Sequence, residues 1–324
     1  MRVRRAAVTL AAALTVLAGA SLSQAAPADG LPTAGKPMFQ NDARHSGQSP
    51  HVGPRQPRLF ATFDTREPGE ARADIQSAIA AGPDGTVYLG NFRGRFVALR
   101  ESPSGTMQAA WSYSESGLGS SFATPAVDET GTVYLPLSSS GPTQPPAQPV
   151  GFLYSFGPDG KVRWKADLGG RSTASPTIGP DGTIYQLVDS GSLVAITAAG
   201  QRKWAAKVGP SFVSSPALAP DGTVYTLSSD GKLYAVGSGG DVKWSADYGS
   251  QLGPTPLKIV TPAPGAPAGG GFAGGGNGQG ASSSPTIGSN GTIYFGANNS
   301  NFYAFGPDGK MKWLFEAERE LAGI

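Results

Sequence analysis

The chain has 324 residues, 39% hydrophobic and 15% charged, with 47 glycines, 28 prolines and no cysteine. That much glycine and proline works against long helices, and the lack of cysteine excludes disulfides, thiolate metal sites, cysteine nucleophiles and a lipid-bearing cysteine. The formal charge of +2 becomes −1 once Arg2, Arg4 and Arg5 are set aside, and no later Lys/Arg cluster points to nucleic acid or an anionic membrane.

Residues 1–26 read as a secretory signal. Arg2, Arg4 and Arg5 form a basic start, Ala6 to Leu22 an apolar run, and Ser23-Gln24-Ala25 a small-residue cleavage site. The apolar run is alanine-rich and close to the lower limit for a spanning helix, so no stable membrane insertion is expected after cleavage. The sequence therefore predicts a secreted or periplasmic protein. Residues 27–57 form an N-terminal extension. It holds both histidines, His45 and His51, with Asp42 the one carboxylate near them, and no metal site is expected there.

From 58 to 316 one unit of about 40 residues recurs. The stretch Arg58-Leu59-Phe60-Ala61-Thr62-Phe63 reads as a lone strand, with Phe60 where later copies carry tryptophan. Five fuller copies follow. They are marked by Gly85-Thr86-Val87-Tyr88, Gly131-Thr132-Val133-Tyr134, Gly182-Thr183-Ile184-Tyr185, Gly222-Thr223-Val224-Tyr225 and Gly291-Thr292-Ile293-Tyr294. The five tryptophans, Trp111, Trp164, Trp204, Trp244 and Trp313, fall once per copy. In the third copy, Ser175 to Gly179 predicts strand A, Thr183 to Val188 strand B, Leu193 to Thr197 strand C and Lys203 to Val208 strand D. Turns such as Gly179-Pro180-Asp181-Gly182 make these strands neighbours in an antiparallel meander. One such sheet cannot bury both faces alone, and repetition around an axis gives an all-β propeller of four-stranded blades. Residues 317–324 form a C-terminal tail.

The pattern Ser175-Pro176-Thr177-Ile178, Asp181-Gly182-Thr183-Ile184-Tyr185, Leu233-Tyr234-Ala235 and Lys243-Trp244 resembles that of the PQQ-like repeat propellers. This family includes quinoprotein dehydrogenases and an outer-membrane assembly lipoprotein. The opening at Met38 to Gly47 is similar to the start of such domains. The resemblance implies rings of about seven or eight blades. Five copies plus a lone early strand therefore leave two readings: a five-bladed ring with a spare strand, or part of a larger ring.

Strand order places A–B and C–D turns on one face of the propeller and B–C and D–A loops on the other. Insertions at 139–150 and 258–281 both fall on the second face, which is the expected binding face. Its polar residues Arg93, Arg95, Arg171, Asp189, Asp230, Asn298 and Asn299 are the candidate ligand-binding set, for an unidentified protein or a small polar ligand. The tryptophans are expected to pack between blades. Asp84, Asp181, Asp221 and Asp308 sit in separate turns, so they read as turn residues rather than calcium ligands.

Quinoprotein catalysis would need, by the family resemblance, a vicinal disulfide and Thr-Gly turns ahead of tryptophan. Here there is no cysteine, and the turns read Asp159-Gly160, Asp308-Gly309 or Gly239-Gly240. No cofactor and no catalytic residue are expected, and a non-catalytic binding or scaffold module is the favoured reading. The alternative is an enzyme, quinoprotein-like or hydrolytic, working from the loop-rich face. Paired buried carboxylates with raised pKa would mark it.

Overall fold

Each repeat folds locally because its turns are fixed in sequence. In the third copy Gly182 takes a φ of +77°, its N–H bonds to the Gly179 carbonyl at 3.0 Å, and Asp181 Oδ1 accepts the Thr183 N–H at 3.0 Å. Asp84 and Asp221 do the same for Thr86 and Thr223, and Asp308 for Lys310. The aspartates thus act as turn residues. The computed structural model describes residues 38–47, 61–66, 69, 75, 77–91, 94–115, 117–119, 122–139, 150–211, 214–248, 283–299 and 301–316. The expected signal segment, Arg93, the two insertions apart from Ser139 and Val150, and the tail at 317–324 lie outside them.

Five antiparallel sheets result. Blade 1 holds β1 (Ala80–Ala81), β2 (Val87–Gly90), β3 (Arg95–Glu101) and β4 (Met107–Ser114). A two-residue strand, β5 (Leu118–Gly119), pairs with blade 2, which holds β6 (Ala126–Val127), β7 (Val133–Ser139), β8 (Gly151–Phe156) and β9 (Val162–Asp167). Blade 3 is β10 (Thr177–Ile178), β11 (Ile184–Val188), β12 (Ser192–Ile196) and β13 (Arg202–Lys207). Blade 4 is β14 (Ala217–Leu218), β15 (Val224–Leu227), β16 (Lys232–Val236) and β17 (Val242–Asp247). Blade 5 is β18 (Thr286–Ile287), β19 (Ile293–Gly296), β20 (Asn301–Phe305) and β21 (Met311–Glu316). The chain is a β-propeller, as the repeat predicts.

A residue of one or a few atoms faces each tryptophan across the sheet. Ala98, Ser155, Ala195, Ala235 and Ala304 are the register partners of Trp111, Trp164, Trp204, Trp244 and Trp313, and a bulge follows each in the same place. The bulge re-aims the indole. In blades 1 to 4 the ring leaves its own sheet and lies on the C–D turn of the next blade. Trp111 Nε1 donates to the Pro158 carbonyl (3.0 Å), Trp164 to Ala198 (2.8 Å), Trp204 to Ser238 (2.8 Å) and Trp244 to Pro307 (3.0 Å). The fourth residue of each receiving turn is glycine for two reasons. Gly160, for example, has φ +79°, and a Cβ there would stand 2.6 Å from the Trp111 ring. In blades 1 to 4 the tryptophan thus docks on a turn of the next blade, Pro158-Asp159-Gly160, Ala198-Ala199-Gly200, Ser238-Gly239-Gly240 or Pro307-Asp308-Gly309.

Strand A is shorter than the sequence predicts, because its first residues bond between blades. Pro176 has no N–H, and the Ser175 N–H goes to Ser215 Oγ of blade 4 (3.0 Å). Likewise the Thr124 N–H reaches Ser175 Oγ (2.8 Å) and the Ser215 N–H reaches Ser284 Oγ (2.8 Å). This ladder links blades 2 to 5 and gives the Ser-Pro repeat its purpose. Ser215→Ala strands the buried Ser175 N–H and is expected to cost about 1–3 kcal/mol, measured by urea unfolding. Blade 1 carries Ala78 and Ile79 at these positions. Among the described residues, no hydrogen bond or ring contact joins blade 5 to blade 1.

The N-terminal residues tie the sheets together. Ala43 O accepts the Leu218 N–H of β14 (2.7 Å), and Arg44 O accepts the Ile287 N–H of β18 (2.9 Å). Met38 and Ala43 are buried in the core shared by blades 2, 3 and 4. His45 is 1% exposed, with Nδ1 at 2.9 Å from the Pro285 carbonyl. A carbonyl only accepts, so Nδ1 carries the proton, and Nε2 is buried with no partner. Residues 61–66 join no sheet. The sequence predicts a strand at 58–63. Its last residues instead lie on the front of blade 1, where Phe63 packs on Leu89, Val97 and Leu99. The fourth-strand position of blade 5 is already taken by β21, which pairs with β20.

Candidate functional site

The loop face is built by D–A loops that cross from one blade to the next. Between blades 2 and 4 these loops form a shelf held by main-chain bonds. The Asp189 N–H donates to the Arg171 carbonyl (2.9 Å), the Ser211 N–H to the Asp189 carbonyl (3.1 Å) and the Ser229 N–H to the Pro210 carbonyl (2.7 Å).

Two of the candidate residues meet on this shelf. Arg171 Nε lies 3.6 Å from Asp189 Oδ2, an ion contact too long for a hydrogen bond. Asp189 Oδ1 accepts from both the N–H and the hydroxyl of Thr173, each at 2.9 Å. Burial raises the Asp189 pKa above the usual carboxylate range, against the pull of Thr173 and Arg171. Lys207 Nζ donates to the Ser190 carbonyl at the shelf edge (3.2 Å).

The other candidates serve local structure. The Arg95 guanidinium donates to the Thr65 carbonyl (3.1 Å), fixing residues 61–66 to blade 1. Asp230 accepts the Ser228 hydroxyl within its own turn. Asn299 donates to Tyr303 Oη (2.7 Å) and accepts the Asn301 N–H (3.2 Å). Asn298 is exposed in the same turn of blade 5, and Arg93 is outside the described residues. Among the described candidates one pair interacts, Arg171 with Asp189.

A second cluster, absent from the sequence reading, lies where β4 leaves blade 1 and meets blade 2. Glu115 accepts from Tyr113 Oη (2.7 Å), Tyr154 Oη and Lys165 Nζ (2.8 Å). These donors, Lys165 foremost, hold the Glu115 carboxyl down at about 2. The Lys165 ammonium also sits 4.0 Å from the Phe152 ring centre and 5.1 Å from that of Tyr154. Lys165 and Glu115 remain about a third exposed, at 35% and 32%. The cluster draws on two blades 50 residues apart, and a sequence offers no local signal for such a meeting.

Both clusters present charge that is already fixed in place and still reaches solvent. Among the described residues, no group of three or more His, Cys, Asp or Glu side chains could hold a metal ion. Asp189 is the one described carboxyl group whose pKa is raised, and its partners are a threonine and an arginine. No helix among the described residues is long and apolar enough to cross a membrane.

Residues 151–290 match the family model of the outer membrane protein assembly factor BamB. That match runs from strand C of blade 2 into the A–B turn of blade 5 and supports the PQQ-like repeat read in the sequence. Among solved structures, the chain is similar to BamB from Moraxella catarrhalis, at 14% identity and a TM-score of 0.47, over 74% of this chain and 64% of that one. It is also similar to a protein of unknown function from Bacteroides caccae, at 13% identity and a TM-score of 0.45, over 77% and 84%. The chain thus spans 64% of the Moraxella protein's length. No curated protein sequence matches it.

Proposed function

We propose that this PQQ-like repeat β-propeller is an exported, non-catalytic scaffold that binds a protein partner through its loop face. One observation carries the reading: Lys165 is held at once by Glu115 and by the Phe152 and Tyr154 rings, while a third of it stays open to solvent. A cation and aromatics fixed before binding lose little conformational freedom on contact, which favours recognition, and tyrosine-rich, charge-bearing spots are where interface energy concentrates. The Arg171–Asp189 pair extends the same face. The match of residues 151–290 to a family of assembly factors supports a protein as the partner.

Site-specific photo-crosslinking in the native envelope tests this. A crosslinker at Ser190 on the loop face is expected to trap one discrete protein. The same crosslinker at Pro220 on the turn face is expected to trap none. Lys165→Gln combined with Arg171→Gln should cut the Ser190 adduct at least tenfold in protein that circular dichroism shows to be still folded at the crosslinking temperature, and charge reversal at the same two residues should cut it further. Equal adducts from both faces, or an adduct indifferent to these substitutions, would sink the reading.

A further inference from the structure

Blade 5 repeats the other blades on one side only. Its front, with Phe295, Tyr303 and Phe305, is buried against Tyr225, Leu227, Leu233 and Tyr248 of blade 4. Its back carries Tyr294, Phe302, Trp313 and Phe315. Tyr294 stacks on Phe302 at 6.4 Å between ring centres, and Trp313 lies 6.0 Å from each. In blades 1 to 4 the position of Phe302 is filled by Phe96, Leu153, Leu193 or Leu233, each 0% exposed. Phe302 is 41% exposed, Trp313 46% and Phe315 63%. Trp313 Nε1 has no acceptor among the described residues.

We infer that a second copy of the chain covers this face, with two fifth blades packed back to back about a twofold axis. The four internal interfaces show what such a Tyr–Phe/Leu–Trp cluster seats: another sheet of the same repeat. The front of blade 1 in a second copy is not open to it, because Leu89, Val97 and Leu99 are already buried under residues that include Phe63. Among the described residues the back of blade 5 is the sheet face left, and it meets itself. Its chemistry suits self-pairing. The patch is four aromatic side chains, and the nearby Lys312 ammonium is drawn to Thr292 Oγ1 of its own blade (2.6 Å). Asn290 stands where other blades carry Asp84, Asp181 or Asp221, so the rim lacks one negative charge. The Tyr294 hydroxyl of one copy supplies an acceptor for the Trp313 N–H of the other.

Aromatic side chains bury about 150–250 Å² each when fully covered. Four half-covered ones give several hundred Å² per copy, under the roughly 800 Å² per partner of a standard interface. An interface of this size belongs with the weak, transient associations.

Sedimentation of the full chain between about 1 and 100 μM should show the average mass rising toward twice the monomer, and stopping there. Phe315→Ser should weaken the association at least tenfold without moving the melting temperature, since Phe315 touches no described core. Because the chain has no cysteine, F315C introduces a single thiol, and mild oxidation should link F315C copies to each other. Mixed with S104C, whose thiol lies on the first-blade turn, F315C should still link only to itself. F315C–S104C links would mean head-to-tail packing and overturn the inference. So would a monomer at about 100 μM, whether its F315C thiol reacts freely or is shielded from alkylation by the chain's own residues.

Discussion

Trp204→Ala is expected to destabilise the fold by about 3–5 kcal/mol, and Trp313→Ala by less than about 1 kcal/mol. The two residues hold the same place in the repeat. Trp204 lies between Tyr185 at 5.9 Å and the turn of blade 4, and it donates to the Ser238 carbonyl. Its removal opens a cavity between two sheets and leaves that carbonyl without its donor. Among the described residues no turn lies beneath Trp313. The platform should matter as much as the ring. Gly240→Ala would place a Cβ 2.8 Å from the Trp204 ring at a φ of +91°, and neither strain relaxes by a rotamer change. Urea unfolding followed by circular dichroism, below micromolar concentration, measures all three. Equal losses for Trp204→Ala and Trp313→Ala would contradict the docking account.

The second large effect is on pH dependence. Burial holds the His45 pKa down at about 4, against 6.5 when free, while the Pro285 carbonyl and the Asp42 charge pull the other way. The unfolded chain therefore takes up a proton at pH values where the folded chain refuses it. His45 costs nothing above about pH 6.5, and stability drains away as pH falls toward 4, by up to about 3 kcal/mol. The cause is geometric: with Nδ1–H on Pro285, a second proton would sit on a buried Nε2 with no acceptor among the described residues. Glu115, held at about 2 against 4.5 when free, loses its contribution only below 4.5, and Asp189, raised by burial, gains stability as pH falls and so opposes the histidine slope; the difference between the native chain and a His45 variant isolates the histidine. His45→Asn tolerates the positive φ of +58° at this position and should flatten the slope between pH 6.5 and 4.5. An unchanged slope would show that the histidine is not the titrating group.

The repeat was legible because each feature of it is local. Turn aspartates, the glycine after them and one tryptophan per copy recur at fixed places in the repeat, so the blade architecture is readable from spacing. What spacing concealed were contacts between copies. The Ser-Pro pairs look like strand starts, and their hydroxyls in fact serve the neighbouring blade. Glu115 and Lys165 look like ordinary surface charges until two blades meet. Arg95 reads as a ligand-facing cation, and its Nη1 donates to the Thr65 carbonyl of its own chain. The lone early strand was recognisable from its composition, but its place depended on blade 5 already having a fourth strand.

The bond between His45 and Pro285 spans 240 residues, and this fixes when it can form. Each sheet needs only its own stretch of about 40 residues, so blades can assemble one after another as the polypeptide emerges. The segment at 38–47 leaves the ribosome before any of them, yet its partners in β14 and β18 come last. At about 5–20 residues per second, it waits for some tens of seconds without its binding cleft. Its insertion is thus a terminal event that reports on every preceding sheet, and protease resistance of residues 38–47 would serve as a clock for completed maturation.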